Sequence, residues 1–143
     1  MRTSGVLLPV FSLPSPHGIG CFSKEAYEWV DFLKLAGQQY WQLLPICPTS
    51  YGDSPYQSFS TFAGNPYFID LDLLASEGLL DKKEYVSVNW GDNVSRIDYG
   101  RLYEQRYSVL KLAAKRFLEN EPEDFETFCE LHAFWLEDYA LFM

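Results

Sequence analysis

Residues 5–10 read GVLLPV and residues 40–44 read YWQLL, and these two runs decide the fold. The first run is apolar throughout instead of alternating, which is typical of a parallel strand covered on both faces. The second is a strand candidate that Pro45 ends. An amphipathic helix between them completes a βαβ unit over residues 1–45, with adjacent parallel strands. By itself this unit is compatible with either a barrel or an open doubly wound sheet.

The helix of this unit is predicted from its ends and its apolar face. Ser23 suits the N-cap position, Glu25 the first turn, and Gly37 the position just past a helix end. Five apolar residues recur at helical spacing and predict one buried face: Ala26, Trp29, Val30, Leu33 and Ala36.

Residues 46–70 show neither helical nor strand periodicity, and their many aromatic residues argue against disorder. Loops of this length are usually functional when they are ordered. Leu71 to Glu77 predicts a short helix that Gly78 closes, and residues 81–84 have capping-box spacing.

Two longer helices follow in the last third of the chain. The stripe predicted for the first is Tyr103, Tyr107, Leu110, Ala114 and Phe117. Pro122 suits the first turn of the second. The second stripe comprises Phe125, Phe128, Cys129, His132, Trp135, Leu136 and Tyr139, with His132 interpreted as a hydrogen-bonded core residue.

The segment Tyr51–Ser58, YGDSPYQS, is the densest polar and aromatic cluster. It follows the second strand, and ligands of parallel α/β folds bind at the carboxyl ends of strands. A rigid turn in which Asp53 and Ser54 bond to nearby backbone explains the same residues, and composition leaves both interpretations open. His17, alone in the loop after the first strand, is interpreted as a surface or hydrogen-bonded residue.

Charge and composition narrow the choice of partners. A net charge of −9 argues against nucleic acid and anionic membranes. Ten Tyr and four Trp suit the stacking and hydrogen bonding that sugars need. Cys21, Cys47 and Cys129 form no CxxC pair, so we expect reduced cysteines in a cytoplasmic protein, with no metal and no cofactor.

Several motifs together resemble one family, the amylomaltases or disproportionating 4-α-glucanotransferases. The most specific is YGDSPYQSFSTFAGNP at residues 51–66, and the likeness extends over nearly the whole chain. The other matching stretches lie at residues 4–8, 12–15, 18–20, 37–45, 98–100 and 135–142. At Pro9 the chain departs from the polar residue that many members carry, which removes any polar role at that strand end.

This resemblance implies the N-terminal part of a (β/α)₈ barrel, with an active-site loop and a helical insertion over residues 46–143. It implies a retaining transfer between α-1,4-glucans or maltooligosaccharides, whose three carboxylates lie downstream in the family, outside this chain. Tyr56 resembles the tyrosine that packs on the donor sugar, and its loop contributes Asp53, Ser54 and Gln57. Tyr51 and Tyr103 resemble the tyrosine pair of a second glucan site.

Three interpretations of the chain therefore stand beside one another. It is part of a glucanotransferase, a non-catalytic module that binds α-glucan, or a structural fragment. The apolar end at residues 140–143, ALFM, has no cap, so we expect the polypeptide to continue. The isolated chain is expected to have no transferase activity.

Overall fold

The computed structural model describes residues 2–143 and confirms the predicted pairing of the first two strands. Strand β1, Gly5–Leu7, pairs in parallel with β2, Tyr40–Gln42. The pairing brings the backbone of Tyr40 so close that a Cβ at Gly5 would lie 2.6 Å from the Tyr40 carbonyl oxygen. The indole N–H of Trp41 donates to the Leu8 carbonyl at 2.7 Å and extends the contact beyond the strands.

Both strands are shorter and more exposed than the sequence predicts. Pro9 has no N–H to donate, and a 3₁₀ turn at Val10–Ser12 replaces the predicted end of the first strand. Leu7 is 54% exposed, so the expectation that the first strand is covered on both faces is wrong for this chain, and Tyr40 of the second strand is 62% exposed. The reason is that the sheet formed by residues 2–143 contains these two strands alone.

Helix α1, Lys24–Leu35, connects the two strands as predicted. Ser23 is its N-cap residue, but the hydroxyl donates to the Glu25 carboxylate instead of accepting a backbone N–H. Gly37 follows the helix with a φ of +69°. Ala26 and Leu33 are buried, whereas Val30 is exposed, so the predicted apolar face is only partly covered.

Three further helices follow the long loop: α2 at Leu71–Ser76, α3 at Tyr99–Glu119 and α4 at Asp124–Phe142. Gly78 takes a φ of +79° just after α2. Short 3₁₀ turns lie at Pro66–Phe68 and Lys82–Glu84. Pro122 lies just before the N-cap residue of α4, Glu123, and not in the first turn as predicted. No helix among residues 2–143 is long and apolar enough to cross a membrane.

The hydrophobic core lies between the loops and helices α1 to α3, and Trp41 of β2 packs against it. Its members are Val10, Leu13, Ile19, Ala26, Tyr67, Phe68, Leu71, Leu80, Tyr85, Trp90, Leu102, Val109 and Ala113. On α3 the buried residues are Leu102, Arg106, Val109 and Ala113, so the predicted stripe is one position out of phase. Tyr103 of that stripe is 69% exposed.

Helix α4 has no fully buried residue. His132 was predicted to be a hydrogen-bonded core residue: its hydrogen bond is confirmed, since Nδ1 accepts from the Trp135 indole at 3.2 Å, but its place in the core is wrong because the side chain is only half-buried. Phe128, Leu131 and Phe134 are largely exposed on the same helix. The periodic pattern identified a helix, but residues 2–143 contain too little structure to cover its apolar surface.

Candidate substrate-binding loops

Two loops begin where the two parallel strands end, and they meet at their far ends. The Phe22 N–H, at the end of the first loop, donates to the Phe68 carbonyl near the end of the second at 3.2 Å. The rings of these residues also meet edge to face, with centroids 6.2 Å apart. The loops after β1 and β2 therefore form one connected surface.

The loop after β2 is closed by its own backbone. The Asn65 N–H donates to the Ile46 carbonyl at 2.9 Å and brings the two ends of the loop together. The Asn65 side chain accepts the Tyr67 N–H at 3.0 Å. This closure gives the aperiodic segment a defined shape without helices or strands.

A smaller turn within this loop carries the predicted binding residues. The Ser50 N–H donates to the Gln57 carbonyl at 3.3 Å, and the Asp53 N–H donates to the Ser50 carbonyl at 3.0 Å. Gly52 and Asp53 both have positive φ, +100° and +57°. Such a conformation is easy for Gly and tolerated by Asp, so the sequence Gly-Asp suits this turn.

The turn presents Tyr56 outward. Its side chain is 72% exposed, and its backbone N–H donates to the Ser54 hydroxyl at 3.3 Å. Gln57 is exposed beside it, and its N–H donates to the Ser54 carbonyl at 3.1 Å. Ser54 thus stabilises the turn through its hydroxyl and carbonyl groups, while the Tyr56 ring and the Gln57 amide are accessible to a ligand.

The carboxyl group of Asp53 lies near enough to Tyr67 and Tyr99 for its charge to act on both. Partial burial raises the pKa of its carboxyl group. Burial also raises the pKa of Tyr67 and Tyr99, and the negative charge of Asp53 adds to both shifts. The ring of Tyr67 lies 5.7 Å from that of Tyr107 on α3. The turn is therefore connected to α3 through aromatic residues.

The two residues predicted for a second glucan site are both accessible. Tyr51 is fully exposed at the tip of the turn. Tyr103 is largely exposed on α3 and packs edge to face on Tyr107, with centroids 5.7 Å apart. Both rings are available for stacking, and their joint action on one ligand stays a prediction.

A buried polar cluster beneath the loop after β1 was missed by the sequence analysis. His17 is 94% buried, with Nε2 3.2 Å from Asp72 Oδ2. The Tyr85 hydroxyl donates to the other oxygen of Asp72 at 2.6 Å. These bonds, that of Tyr85 first, lower the pKa of Asp72. Of the two interpretations of His17, the surface residue is wrong because the side chain is buried, and the hydrogen-bonded residue is confirmed. Its partner on α2 has no signal in the sequence.

Two concave surfaces flank the loops. A groove of about 910 Å³ runs between the loop after β1 and residues 90–99, with Ser12, Ser15, Asn93 and Arg96 among its lining residues. A cleft of about 540 Å³ lies between residues 58–62 and α4. In this cleft Phe62 stacks on Trp135 and Phe59 stacks on Tyr139, with centroids 5.8 and 6.4 Å apart.

Chemically, the turn after β2 offers rings, hydroxyls, an amide and one carboxylate, which suits binding a polyhydroxylated ligand. Among residues 2–143, no group of three His, Cys, Asp or Glu residues is placed to hold a metal ion.

Residues 8–143 match the sequence model of a family described as 4-alpha-glucanotransferase. The chain belongs to this family.

Individual family members confirm the assignment. The chain is 54% identical over 134 residues to the 4-alpha-glucanotransferase of Clostridium butyricum, covering 94% of this chain and 28% of the relative. It is 50% identical to the 4-alpha-glucanotransferase of Streptococcus pneumoniae over 143 residues, 99% of this chain and 28% of the relative. The chain therefore spans about 28% of the length of these relatives.

A solved structure of the family shares the fold of the chain. It is the amylomaltase from Streptococcus agalactiae in complex with acarbose, with a TM-score of 0.84 and 45% identity. The match covers 97% of this chain and 27% of that one. The fold described above is thus that of part of an amylomaltase.

Proposed function

We propose that this chain is the amino-terminal part of an enzyme that transfers α-1,4-glucan segments between maltooligosaccharides. The observation that carries the proposal is the 45% identity and TM-score of 0.84 to an amylomaltase solved with acarbose. In the complete enzyme, β1 and β2 are the first two strands of a (β/α)₈ barrel. Residues 46–143 supply the active-site loop and a helical insertion.

The role of this chain in the reaction is to bind and orient the glucan. A retaining transfer uses a carboxylate nucleophile and a carboxylic acid that later acts as a base. We infer that these groups, and a third carboxylate that binds the distorted sugar, come from the rest of the enzyme. Tyr56 covers a face of the donor sugar, and Asp53, Ser54 and Gln57 of the same turn complete the surface that the sugar contacts.

Three features support this role. The loop of Tyr56 starts at the carboxyl end of a parallel strand, where barrel enzymes build their sites. The Tyr56 ring is 72% exposed, so it does not serve as core packing in this chain. The turn that carries it is held by its own backbone hydrogen bonds. A second glucan site at Tyr51 and Tyr103 and a cytoplasmic location stay predictions.

A chimera tests the proposal directly. The 143-residue chain replaces the matching segment of the Clostridium butyricum enzyme, to which it is 54% identical. We expect the chimera to convert maltotriose into glucose and longer maltooligosaccharides. The isolated chain, which lacks the transfer carboxylates, releases no glucose.

The controls are the parent enzyme and a substrate-free blank. A folded chimera that leaves maltotriose unchanged while the parent disproportionates it contradicts the proposed function. Glucose release by the isolated chain contradicts the placement of the carboxylates outside residues 1–143.

A further inference from the structure

Arg106 of α3 is fully buried and reaches two segments that are far apart in the sequence. Its Nη1 donates to the His17 carbonyl at 3.2 Å, and its Nη2 donates to the Ile69 carbonyl at 2.6 Å. His17 lies in the loop after β1, and Ile69 lies at the end of the loop after β2. One guanidinium group therefore joins the loop after β1 to the end of the loop after β2.

The surroundings of Arg106 are costly for a cation. Among residues 2–143, no carboxylate lies within ion-pair distance of its guanidinium group. Burial lowers the pKa of the side chain, and its Nε has no hydrogen-bond partner. Cys21 and the negative charge of Asp70 offset part of this lowering of the pKa. The Trp90 ring, whose centre is 5.8 Å from Cζ, adds a cation–π contact to the two carbonyl hydrogen bonds.

A methionine at this position would fill similar space without the cost of desolvating a charge. What a methionine lacks is the planar fork of donors, which orients two acceptors at once. The carbonyls that it serves belong to irregular segments, where no helix or sheet provides a donor. Burying Arg106 therefore costs desolvation free energy, while its two hydrogen bonds hold the His17 and Ile69 carbonyls in fixed positions.

Neighbouring contacts connect the Arg106 hydrogen bonds to the loop that carries Tyr56. Tyr67 lies two residues before Ile69 and packs on Tyr107, the residue after Arg106. The Phe22 N–H donates to the Phe68 carbonyl at 3.2 Å, so the loops also touch directly. If the guanidinium group is removed, this backbone bond, the edge-to-face contact of the Phe22 and Phe68 rings and the packing of the core still connect the loops, but the two carbonyls lose their shared donor.

We propose that Arg106 is a positioning residue for glucan transfer, which holds the loop after β1 and the Tyr56 loop in one relative arrangement. This inference rests on the proposed function. Arg106 touches no substrate: it acts through the backbone of His17 and Ile69. Without its guanidinium group, the two loops become more mobile near His17 and Ile69, and the surface around Tyr56 is displaced.

The experiment compares Arg106→Met and Arg106→Lys with a matched control, Arg116→Met, in the chimera. Arg116 is also on α3 and also donates to a carbonyl, that of Leu79 at 3.0 Å, but it contacts neither loop. Hydrogen exchange of the Gly20, Phe22 and Ile69 amides reports on the loops, and maltotriose kinetics report on transfer. All variants are assayed well below their melting temperatures.

We expect Arg106→Met to speed exchange at these three amides and to lower kcat/KM by about tenfold to a hundredfold, the scale of an ångström-sized misplacement. Arg106→Lys keeps the charge but lacks the planar pair of donors. Its exchange rates and kcat/KM should therefore lie between those of the wild type and of Arg106→Met. Arg116→Met should leave both measurements close to wild type.

Two results overturn the inference: loop exchange that is unchanged in the Arg106 variants, or an equal loss of activity in Arg116→Met. If Arg106→Met does not fold, Arg106→Lys decides by the same exchange criterion. If the unsubstituted chimera has no transferase activity, the proposed function fails, whereas the exchange measurement still tests the link between the loops.

Discussion

Arg116 and Glu84 form a two-pronged ion pair that fastens helix α3 to the segment after α2. Arg116 Nη1 lies 2.7 Å from Glu84 Oε2, and Nη2 lies 2.8 Å from Oε1. Glu84 also accepts the Asp81 N–H at 2.7 Å. The bonds from Arg116 first, and then that from Asp81, lower the pKa of Glu84 to about 2.

This pair predicts an acid-sensitive contribution to stability. The folded pKa of Glu84 is about 2, below its ordinary value of 4.5, so its contribution is present above pH 4.5 and is lost as the pH falls toward 2. In Glu84→Gln we therefore expect a shallower fall in the free energy of unfolding over this range, measured by urea unfolding. Glu126→Gln, an exposed change on α4, serves as the control. Identical pH profiles for the wild type and Glu84→Gln would contradict the prediction.

The Tyr85 hydroxyl is predicted to stabilise the chain through Asp72. Tyr85 is fully buried and donates to Asp72 Oδ1 at 2.6 Å. Tyr85→Phe keeps the ring but removes this donor, so we expect a loss of about 1 kcal/mol in the free energy of unfolding. Tyr27→Phe, at a 75% exposed position, should have no measurable effect in the same urea titration. Equal stabilities of the two variants would show that the Tyr85–Asp72 bond contributes nothing.

Two neighbouring alanines of α3 test which face of the helix is buried. Ala113 is 4% exposed within the core, whereas Ala114, which the periodic pattern places on the apolar stripe, is exposed. Ala113→Leu should destabilise the chain by about 1–3 kcal/mol because the larger side chain overpacks the core. Ala114→Leu should change stability by less than about 0.5 kcal/mol. A reversal of this order, measured by thermal or urea unfolding, would support the stripe predicted from the sequence.

Tyr56 is predicted to stack on the glucan in the complete enzyme. In the chimera, Tyr56→Ala should lower kcat/KM for maltooligosaccharides by an amount worth about 1–3 kcal/mol, the scale of removing an aromatic ring that stacks on a nucleotide base. Tyr56→Phe retains the ring and should retain most of the activity. The melting temperature should change little, because the side chain is 72% exposed. Full activity of Tyr56→Ala, or a loss explained by unfolding, would exclude Tyr56 as a substrate contact.

Local chemistry was sufficient to predict the elements of the fold. The apolar runs at residues 5–10 and 40–44 with a helix between them predicted the parallel pair of strands, since that connection needs a crossover. Gly37 and Gly78 marked helix ends because both adopt positive φ, which costs other residues energy. The motif at residues 51–66 predicted the family, which the comparisons confirmed.

Tertiary structure decided which side chains are buried. The phase of the α3 stripe depends on what lies beside the helix. The buried Arg106 is stabilised by two carbonyls from distant segments, which accept hydrogen bonds from its guanidinium group. His17 is buried in the loop after β1, and its side chain meets Asp72 of helix α2, a partner 55 residues further along the chain. Periodicity describes one element at a time, so it carries no information about donors and acceptors that distant segments supply. The sequence by itself therefore determined the helices and the strand pairing, whereas the packing of distant segments decided how the two loops are joined.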